Sequence, residues 1–98
     1  MIKHIVMFKL RNEKKNKELN TRKLKDKLDN LKNKIPEIRH LETGINLSAS
    51  PSAYDLVLIT EFTTMNDLDT YRINPYHQEL ISYLETIKDK AVVVDYEI

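Results

Sequence analysis

The stretch YDLVLITEF, residues 54–62, decides the fold, because it is typical of a strand that is apolar on both faces. Leu56 and Leu58 point to one side of such a strand, and Val57 and Ile59 point to the other. A lone antiparallel sheet that is packed on one side should be polar on its solvated side. This strand therefore predicts a sheet that is covered on both faces.

Three further stretches are predicted to be strands. The opening stretch IKHIVMFKL, residues 2–10, alternates at period two, and the closing stretch AVVVDYEI, residues 91–98, carries three successive valines. Both are partly apolar on each face. A weaker strand, residues 38–48, contains the only glycine, Gly44, which predicts either a β-bulge or a close backbone approach. The segment ASPSA, residues 49–53, is typical of a surface loop.

A long amphipathic helix is predicted between the first two strands, with Asn12 as its N-cap and Pro36 as its stop signal. Its apolar residues recur at steps of four, three and four. They are Leu24, Leu28, Leu31 and Ile35.

Two short helices are predicted between the third strand and the last. Thr64 and Asp67 resemble a capping box that opens the first of them, which carries Met65, Leu68 and Tyr71 at steps of three. Asn74 is the predicted N-cap of the second, with Pro75 at its first position.

The order of elements, β-α-β-β-α-α-β, predicts one domain over residues 1–98 with a ferredoxin-like α+β sandwich fold. Its four-stranded antiparallel sheet would carry the helices on one face. The other face would still bear aliphatic side chains whichever register the strands adopt. We therefore expect a symmetric homodimer through the sheet face.

Composition bounds the remaining properties. The chain has no cysteine, no signal-peptide pattern and no apolar run of membrane-spanning length, so we expect a cytoplasmic protein without a membrane partner. Residues 11–34 hold ten Lys or Arg against four Asp or Glu. This segment is either a basic surface for nucleic acid or an acidic partner, or a solvated helix face. It has no aromatic residue to stack a base, which favours the solvated face and no nucleic acid.

His77 is the main candidate for chemistry. It would be the third residue of the helix that Asn74 caps, on one stripe with Leu80, Ile81 and Leu84. The helix N-terminus and burial both disfavour the imidazolium, so we expect a neutral ring that could act as a general base. A lone histidine on an apolar face is more often a hydrogen-bonded core residue, and the pattern alone favours that interpretation.

Other kinds of site are not supported by the sequence. His4, His40 and His77 fall on different elements without the spacing of a metal site, so no metal is expected. There is no glycine-rich motif for a nucleotide.

Five stretches in order together resemble the stress-responsive dimeric α/β-barrel family, Dabb. They are IKHIVMFKL, LETGIN, YDLVLITEF, YRINPYHQEL and AVVVDYEI. The resemblance implies a ferredoxin-like subunit that dimerises through its sheet into an α/β barrel. It leaves the activity open, because most members of the family have no assigned reaction.

The resemblance also implies candidate site residues. A plant polyketide cyclase of the family closes a ring by an aldol reaction with a histidine base and a tyrosine, and the matching residues here are His77 and Tyr71. A pocket histidine on the third strand of that enzyme falls at Leu56, which makes the wall more apolar. His4 also matches, on the first strand, either as a ligand-binding pocket residue or as a strand histidine that simply lines the sheet face, and Leu80 lies on the stripe of His77. If chemistry occurs, His77 would remove a proton α to a carbonyl without a cofactor, with Tyr71 hydrogen-bonded to the carbonyl oxygen.

Two other function classes stay open. The chain could bind a small apolar or carbonyl-containing molecule without turning it over. It could also be a relative of the haem- or quinol-type monooxygenases of the wider dimeric barrel superfamily, although those haem enzymes typically use a tryptophan and this chain has none.

Overall fold

The computed structural model describes residues 1–12 and 16–98, and the elements within them follow the predicted order. Their bounds are Ile2–Leu10 for strand β1, Asn16–Lys34 for helix α1, His40–Ile45 for β2, Leu56–Phe62 for β3, Met65–Ile73 for α2, Pro75–Glu85 for α3 and Lys88–Glu97 for β4. The last strand begins three residues before the predicted Ala91. The predicted capping of α1 by Asn12 involves residues 13–15, which lie outside the described residues.

The four strands form one antiparallel sheet in the order β2-β3-β1-β4, and the predicted ferredoxin-like α+β fold is confirmed. Strands β1 and β3, which are apolar on both faces, lie in the centre, where both of their edges are hydrogen-bonded. The helices cover one face of this sheet, so alternate residues of β1 and β3 enter the core. The core residues of these two strands include Ile2, Phe8, Leu10, Leu56, Leu58 and Phe62.

Helix α1 packs its predicted stripe against the sheet. Leu24, Leu28 and Ile35 are fully buried and Leu31 is nearly so, which confirms the periodicity seen in the sequence. Thr21 extends the stripe by one turn, because its hydroxyl donates to the backbone carbonyl of Lys17 and is thereby satisfied.

Both predicted helix caps are formed. The Thr64 hydroxyl accepts a hydrogen bond from the Asp67 amide at 3.1 Å, and the Asn74 side chain accepts one from the Tyr76 amide at 2.9 Å. Asn74 has an extended backbone between two helices, so the chain turns sharply there. This turn sets the angle between α2 and α3.

Gly44 marks neither of the two predicted features. The pairing of β2 with β3 continues without a bulge through Gly44, opposite Val57. A Cβ atom placed on Gly44 would lie 3.5 Å from the Val57 Cγ1 atom, which is an ordinary van der Waals distance. The only register shift in the described sheet lies between Lys9 and Leu10, against β4.

The face of the sheet opposite the helices carries a central group of apolar side chains, as the alternation predicted. We call it the open face. Its apolar residues are Ile5, Met7, Val57, Ile59, Val92, Val94 and Tyr96. Val94 is 60% exposed and Met7 is 45% exposed. Strand β4 is also little covered on the helix side, where Val93 is 56% exposed. Among the described helices, none is long and apolar enough to span a bilayer.

Candidate functional site

The turn at Asn74 brings Tyr71, near the end of α2, against His77, near the start of α3. Their ring centroids are 4.4 Å apart and the ring planes are inclined by 48°. Tyr71 is 1% exposed and also packs against Phe62 of β3, with ring centroids 5.0 Å apart. The phenol is thus held between the sheet and the imidazole.

A cavity of about 230 Å³ lies beside these rings, between the sheet and α3. His4, Tyr71, His77 and Leu80 all line it, so four of the five site residues suggested by the sequence meet at one place. The rest of the wall is apolar apart from Arg72.

Leu56 does not line this cavity, which corrects the placement suggested by the resemblance. Its side chain is buried, and it borders a separate hollow near Tyr54. Leu58, two residues further along the same face of β3, lines the cavity instead, because it lies opposite Val6 in the middle of β1.

The hydrogen bonding of His77 defines its tautomer. The Nδ1 atom lies 3.0 Å from the Arg72 carbonyl oxygen, which can only accept, so Nδ1 carries the proton and Nε2 keeps a lone pair. Burial lowers the pKa of His77, and the nearby His4 and Arg72 charges lower it further, against the opposing effect of the backbone hydrogen bond. The ring is therefore neutral near pH 7, as predicted.

Tyr71 remains protonated, because burial raises the pKa of its hydroxyl well above the ordinary value of 10.0. Within the described residues no group is hydrogen-bonded to this hydroxyl. It can therefore donate a hydrogen bond to an oxygen atom of a molecule in the cavity.

His4 is held by a carboxylate. Its Nδ1 atom donates to Asp95 Oδ1 at 2.5 Å, and the other oxygen of Asp95 accepts from the Arg72 guanidinium at 2.8 Å. Arg72 also contacts Asp69 at 3.0 Å. The His4 ring also packs against Tyr71, with ring centroids 6.0 Å apart. One arginine thus links both histidines, through its carbonyl to His77 and through Asp95 to His4.

Asp95 and Arg72 were not singled out from the sequence. The available signal for Asp95 was an acidic residue directly after three valines in a strand. Asp95 can hold His4 only because β1 and β4 pair in the register that sets these two residues opposite each other. The two residues are 91 positions apart in the sequence. That register could not be read from local pattern.

The basic segment contributes to packing between helices. The Lys27 ammonium lies 4.7 Å from the Tyr83 ring centroid, and that of Lys34 lies 5.4 Å from the Tyr76 ring centroid. These cation–π contacts join α1 to α3 outside the cavity. In the described part of the chain, no cluster of three histidine, aspartate or glutamate side chains could hold a metal ion.

The model of one protein family, described as the stress responsive A/B barrel domain, matches residues 2–98. No curated protein matches the chain.

Solved structures resemble the whole chain. One is a dimeric protein of unknown function with a ferredoxin-like fold from Bacteroides fragilis, which is 32% identical, covers 99% of this chain and 95% of its own, and gives a TM-score of 0.86. A Dabb family protein from Mesorhizobium loti is 20% identical over 99% of this chain and 95% of its own, with a TM-score of 0.80.

A hydroxynitrile lyase from Passiflora edulis is also similar in structure. It is 20% identical, covers 99% of this chain and 92% of its own, and gives a TM-score of 0.82. At this level of identity the likeness shows the fold alone.

Proposed function

Because this chain belongs to the stress responsive A/B barrel domain family, we propose that it is a homodimer in which each subunit binds a small, largely apolar, carbonyl-containing molecule beside His77. The dimer is supported by the apolar open face, since covering each exposed aliphatic side chain is worth roughly 1.5 to 3 kcal/mol before association costs. The similar Bacteroides fragilis protein is described as dimeric.

One observation carries the binding proposal. Tyr71 and His77 lie in contact, 4.4 Å between ring centroids, at the wall of a cavity whose other lining residues are mostly aliphatic. Apolar pockets with a few convergent polar groups are typical of small-molecule sites. Two polar groups are available here, the Tyr71 phenol, which donates a hydrogen bond, and the His77 Nε2 atom, which accepts one. The phenol suits a carbonyl oxygen, and the imidazole nitrogen suits the polarised C–H bond next to that carbonyl group.

Binding can be tested with cyclohexanone in a titration followed by amide NMR. We expect saturable shifts at Leu58, Leu80 and other residues of the cavity. Tyr71→Phe should weaken binding about fivefold, the equivalent of one hydrogen bond of about 1 kcal/mol. His40→Ala is the control, because His40 is exposed on β2. Shifts that do not saturate, or that fall outside the cavity, would reject the proposal.

A second candidate function is proton abstraction with His77 as the general base. The hydrogen bond from Nδ1 to the Arg72 carbonyl oxygen favours it, because it fixes the lone pair on Nε2. Nε2 would take a proton from the carbon next to the carbonyl group, while the Tyr71 hydroxyl hydrogen-bonds to the enolate oxygen that forms. Return of the proton regenerates the ketone and the neutral imidazole.

Exchange with solvent separates this second candidate from simple binding. In D₂O the protein should replace the α-protons of cyclohexanone by deuterium, which the ¹H NMR spectrum of the ketone measures directly. His77→Ala should remove the acceleration, and His40→Ala should retain it. If the ketone binds saturably but its α-protons exchange no faster than in buffer, the chain is a binding protein and the role of His77 as a general base is rejected.

A further inference from the structure

A groove of about 170 Å³ lies on the surface of the helix layer, between α1 and α3. We call it the outer groove. Leu31 of α1 and Leu80 of α3 line its apolar floor, and both side chains are nearly buried. Neither Tyr71 nor His77 lines this groove.

Two lysine–tyrosine pairs border the outer groove. The Lys27 ammonium lies 4.7 Å from the Tyr83 ring centroid, and the Lys34 ammonium lies 5.4 Å from the Tyr76 ring centroid. The two lysines are seven residues apart on α1, and the two tyrosines are seven residues apart on α3. Seven residues of helix return to nearly the same face after a rise of about 10 Å. The outer groove therefore presents two ammonium groups about 10 Å apart along one line.

The lysines of the outer groove lack the ion pairs that other cations of α1 make. Lys17, Arg22 and Lys25 each pair with a carboxylate. Among the described residues, no carboxylate lies within ion-pairing distance of Lys27 or Lys34. Helix α1 also carries seven Lys or Arg against three Asp or Glu. This surface is therefore complementary in charge to an acidic partner.

The Tyr83 hydroxyl is a buried polar group that has no hydrogen-bond partner within the described residues. Burial raises the pKa of this phenol, so it carries its proton and can donate. Buried donors in native proteins are nearly always paired. The Lys27 ammonium lies close to the same ring, so a carboxylate bound to that ammonium can also accept a hydrogen bond from the phenol. One carboxylate at this end of the outer groove would satisfy both donors.

The spacing of the groove residues is that of a helix-binding surface. Lys27, Leu31 and Lys34 stand at offsets of zero, four and seven on α1, and Tyr76, Leu80 and Tyr83 repeat these offsets on α3. A helix that lies in a groove presents its own side chains at the same offsets.

We propose that the outer groove binds an acidic amphipathic helix of a partner protein. Two carboxylates of that helix, seven residues apart, would pair with Lys27 and Lys34, and apolar side chains between them would pack on Leu31 and Leu80. Glu79 also lines the outer groove, so a third carboxylate in the middle is disfavoured. This surface is distinct from the proposed ligand site and does not depend on it.

Two other occupants fit the outer groove less well. No described helix of this chain carries two carboxylates seven residues apart, so a second copy does not supply the partner helix. Single-stranded nucleic acid stacks its bases on free aromatic faces, and here lysine ammonium groups lie over both tyrosine rings.

A synthetic helix tests the proposal in an amide NMR titration of the full chain. The peptide is acetylated, amidated and based on alanine and glutamine, with two glutamates seven residues apart and leucines at the third and fourth positions after the first glutamate. A control peptide of the same composition has its glutamates five residues apart, which moves the second carboxylate about 140° round the helix. We expect saturable shifts in α1 and α3 with the first peptide and about fivefold weaker binding of the control.

Substitutions in the outer groove identify the contacts. Lys27→Gln and Lys34→Gln should each weaken binding of the first peptide about threefold, the effect of one exposed ion pair. Arg22→Gln is the control, because it removes the same charge from a side chain of α1 that is 69% exposed outside the groove.

Tyr83→Phe separates a binding role of the hydroxyl from a structural one. It should weaken binding of the first peptide about fivefold, the effect of one hydrogen bond. It should not lower the free energy of unfolding in urea, because the hydroxyl has no partner within the described residues of the free protein.

Three outcomes would overturn the proposal. One is equal affinity for the two peptides, which would mean that net charge alone attracts them. Another is an unchanged affinity in the double variant with Lys27→Gln and Lys34→Gln. The third is an oligothymidylate that shifts the same amides and binds more tightly than the peptide. None of these results bears on the cyclohexanone titration, so the outer groove and the ligand site can fail independently.

Discussion

At the scale of single residues, His77 combines a fixed tautomer with a pKa that burial lowers from the ordinary value of 6.5. The folded protein therefore binds a proton at this ring less readily than the unfolded chain does. The neutral His77 ring therefore adds to the free energy of unfolding, and this contribution is complete above the unfolded pKa of about 6.5. The contribution decreases as the pH falls from there towards the lowered pKa of the folded protein.

We therefore expect the His77 ring to titrate below 6.5 in an NMR pH titration, and the wild-type protein to lose more stability on acidification than His77→Gln. Urea unfolding of both proteins, at one pH well above 6.5 and one below it, measures the difference. A His77 midpoint above 6.5, or an equal loss in the two proteins, would contradict the burial argument.

Asp95 is expected to stabilise the fold through the two groups that it pairs. Asp95→Ala removes the acceptor of His4 Nδ1 and one partner of Arg72, and His4 is only 7% exposed. Leaving a buried donor unsatisfied should lower the free energy of unfolding by about 1 to 3 kcal/mol, measured by urea unfolding.

Asp89→Ala is the matched control for Asp95→Ala, because Asp89 is exposed on the same strand. In a His4→Phe background the cost of Asp95→Ala should fall, since no buried imidazole donor is then left unpaired. If Asp95→Ala costs as much unfolding free energy in that background as in the wild type, the contact with His4 is not the source of the stability that Asp95 provides.

At the scale of secondary-structure elements, the features that depend on neighbouring residues could be predicted. The leucine stripe of α1 and the caps at Thr64 and Asn74 are set within about one helix turn, and the structure confirms them. The contact of Tyr71 with His77 follows from the same short turn, although no pattern gives its distance.

Features that join distant parts of the chain could not be read in the same way. The sequence does not specify which residue of β4 faces His4. The resemblance placed Leu56 rather than Leu58 at the cavity, and a shift of two residues along a strand keeps the same face, so alternation could not reveal the error. The start of β4 at Lys88 also depends on pairing, since Leu10 of β1 pairs with Lys88 outside the apolar run.

The cap at Asn74 connects local structure to the site. Asn74→Ala should cost about 1 kcal/mol of unfolding free energy, because the Tyr76 amide loses its acceptor. It should also weaken cyclohexanone binding, since the turn holds Tyr71 against His77. Asn66→Ala on the exposed side of α2 is the control, and equal effects of the two substitutions would contradict a specific role for the turn.

At the scale of the whole molecule, the open face and the cavity lie on opposite sides of one sheet. Alternation along each strand assigns neighbouring residues to the two sides, so Val94 belongs to the open face and Val93 to the cavity side. The two valines are similarly exposed, at 60% and 56%. They therefore offer a comparison in which residue type, strand and exposure are matched and only the face differs.

Val94→Glu should convert the proposed dimer into a monomer, whereas Val93→Glu should leave it dimeric. A two-fold interface contains each residue twice, so one substitution introduces two charges into a surface that must exclude water. Sedimentation equilibrium should give twice the chain mass of 11.6 kDa for the wild type and for Val93→Glu, and the single mass for Val94→Glu. Val93→Glu should instead impair ketone binding. If the wild type is a monomer at micromolar concentration, or if Val93→Glu dissociates the dimer as readily as Val94→Glu, then the open face is not the surface through which two copies associate.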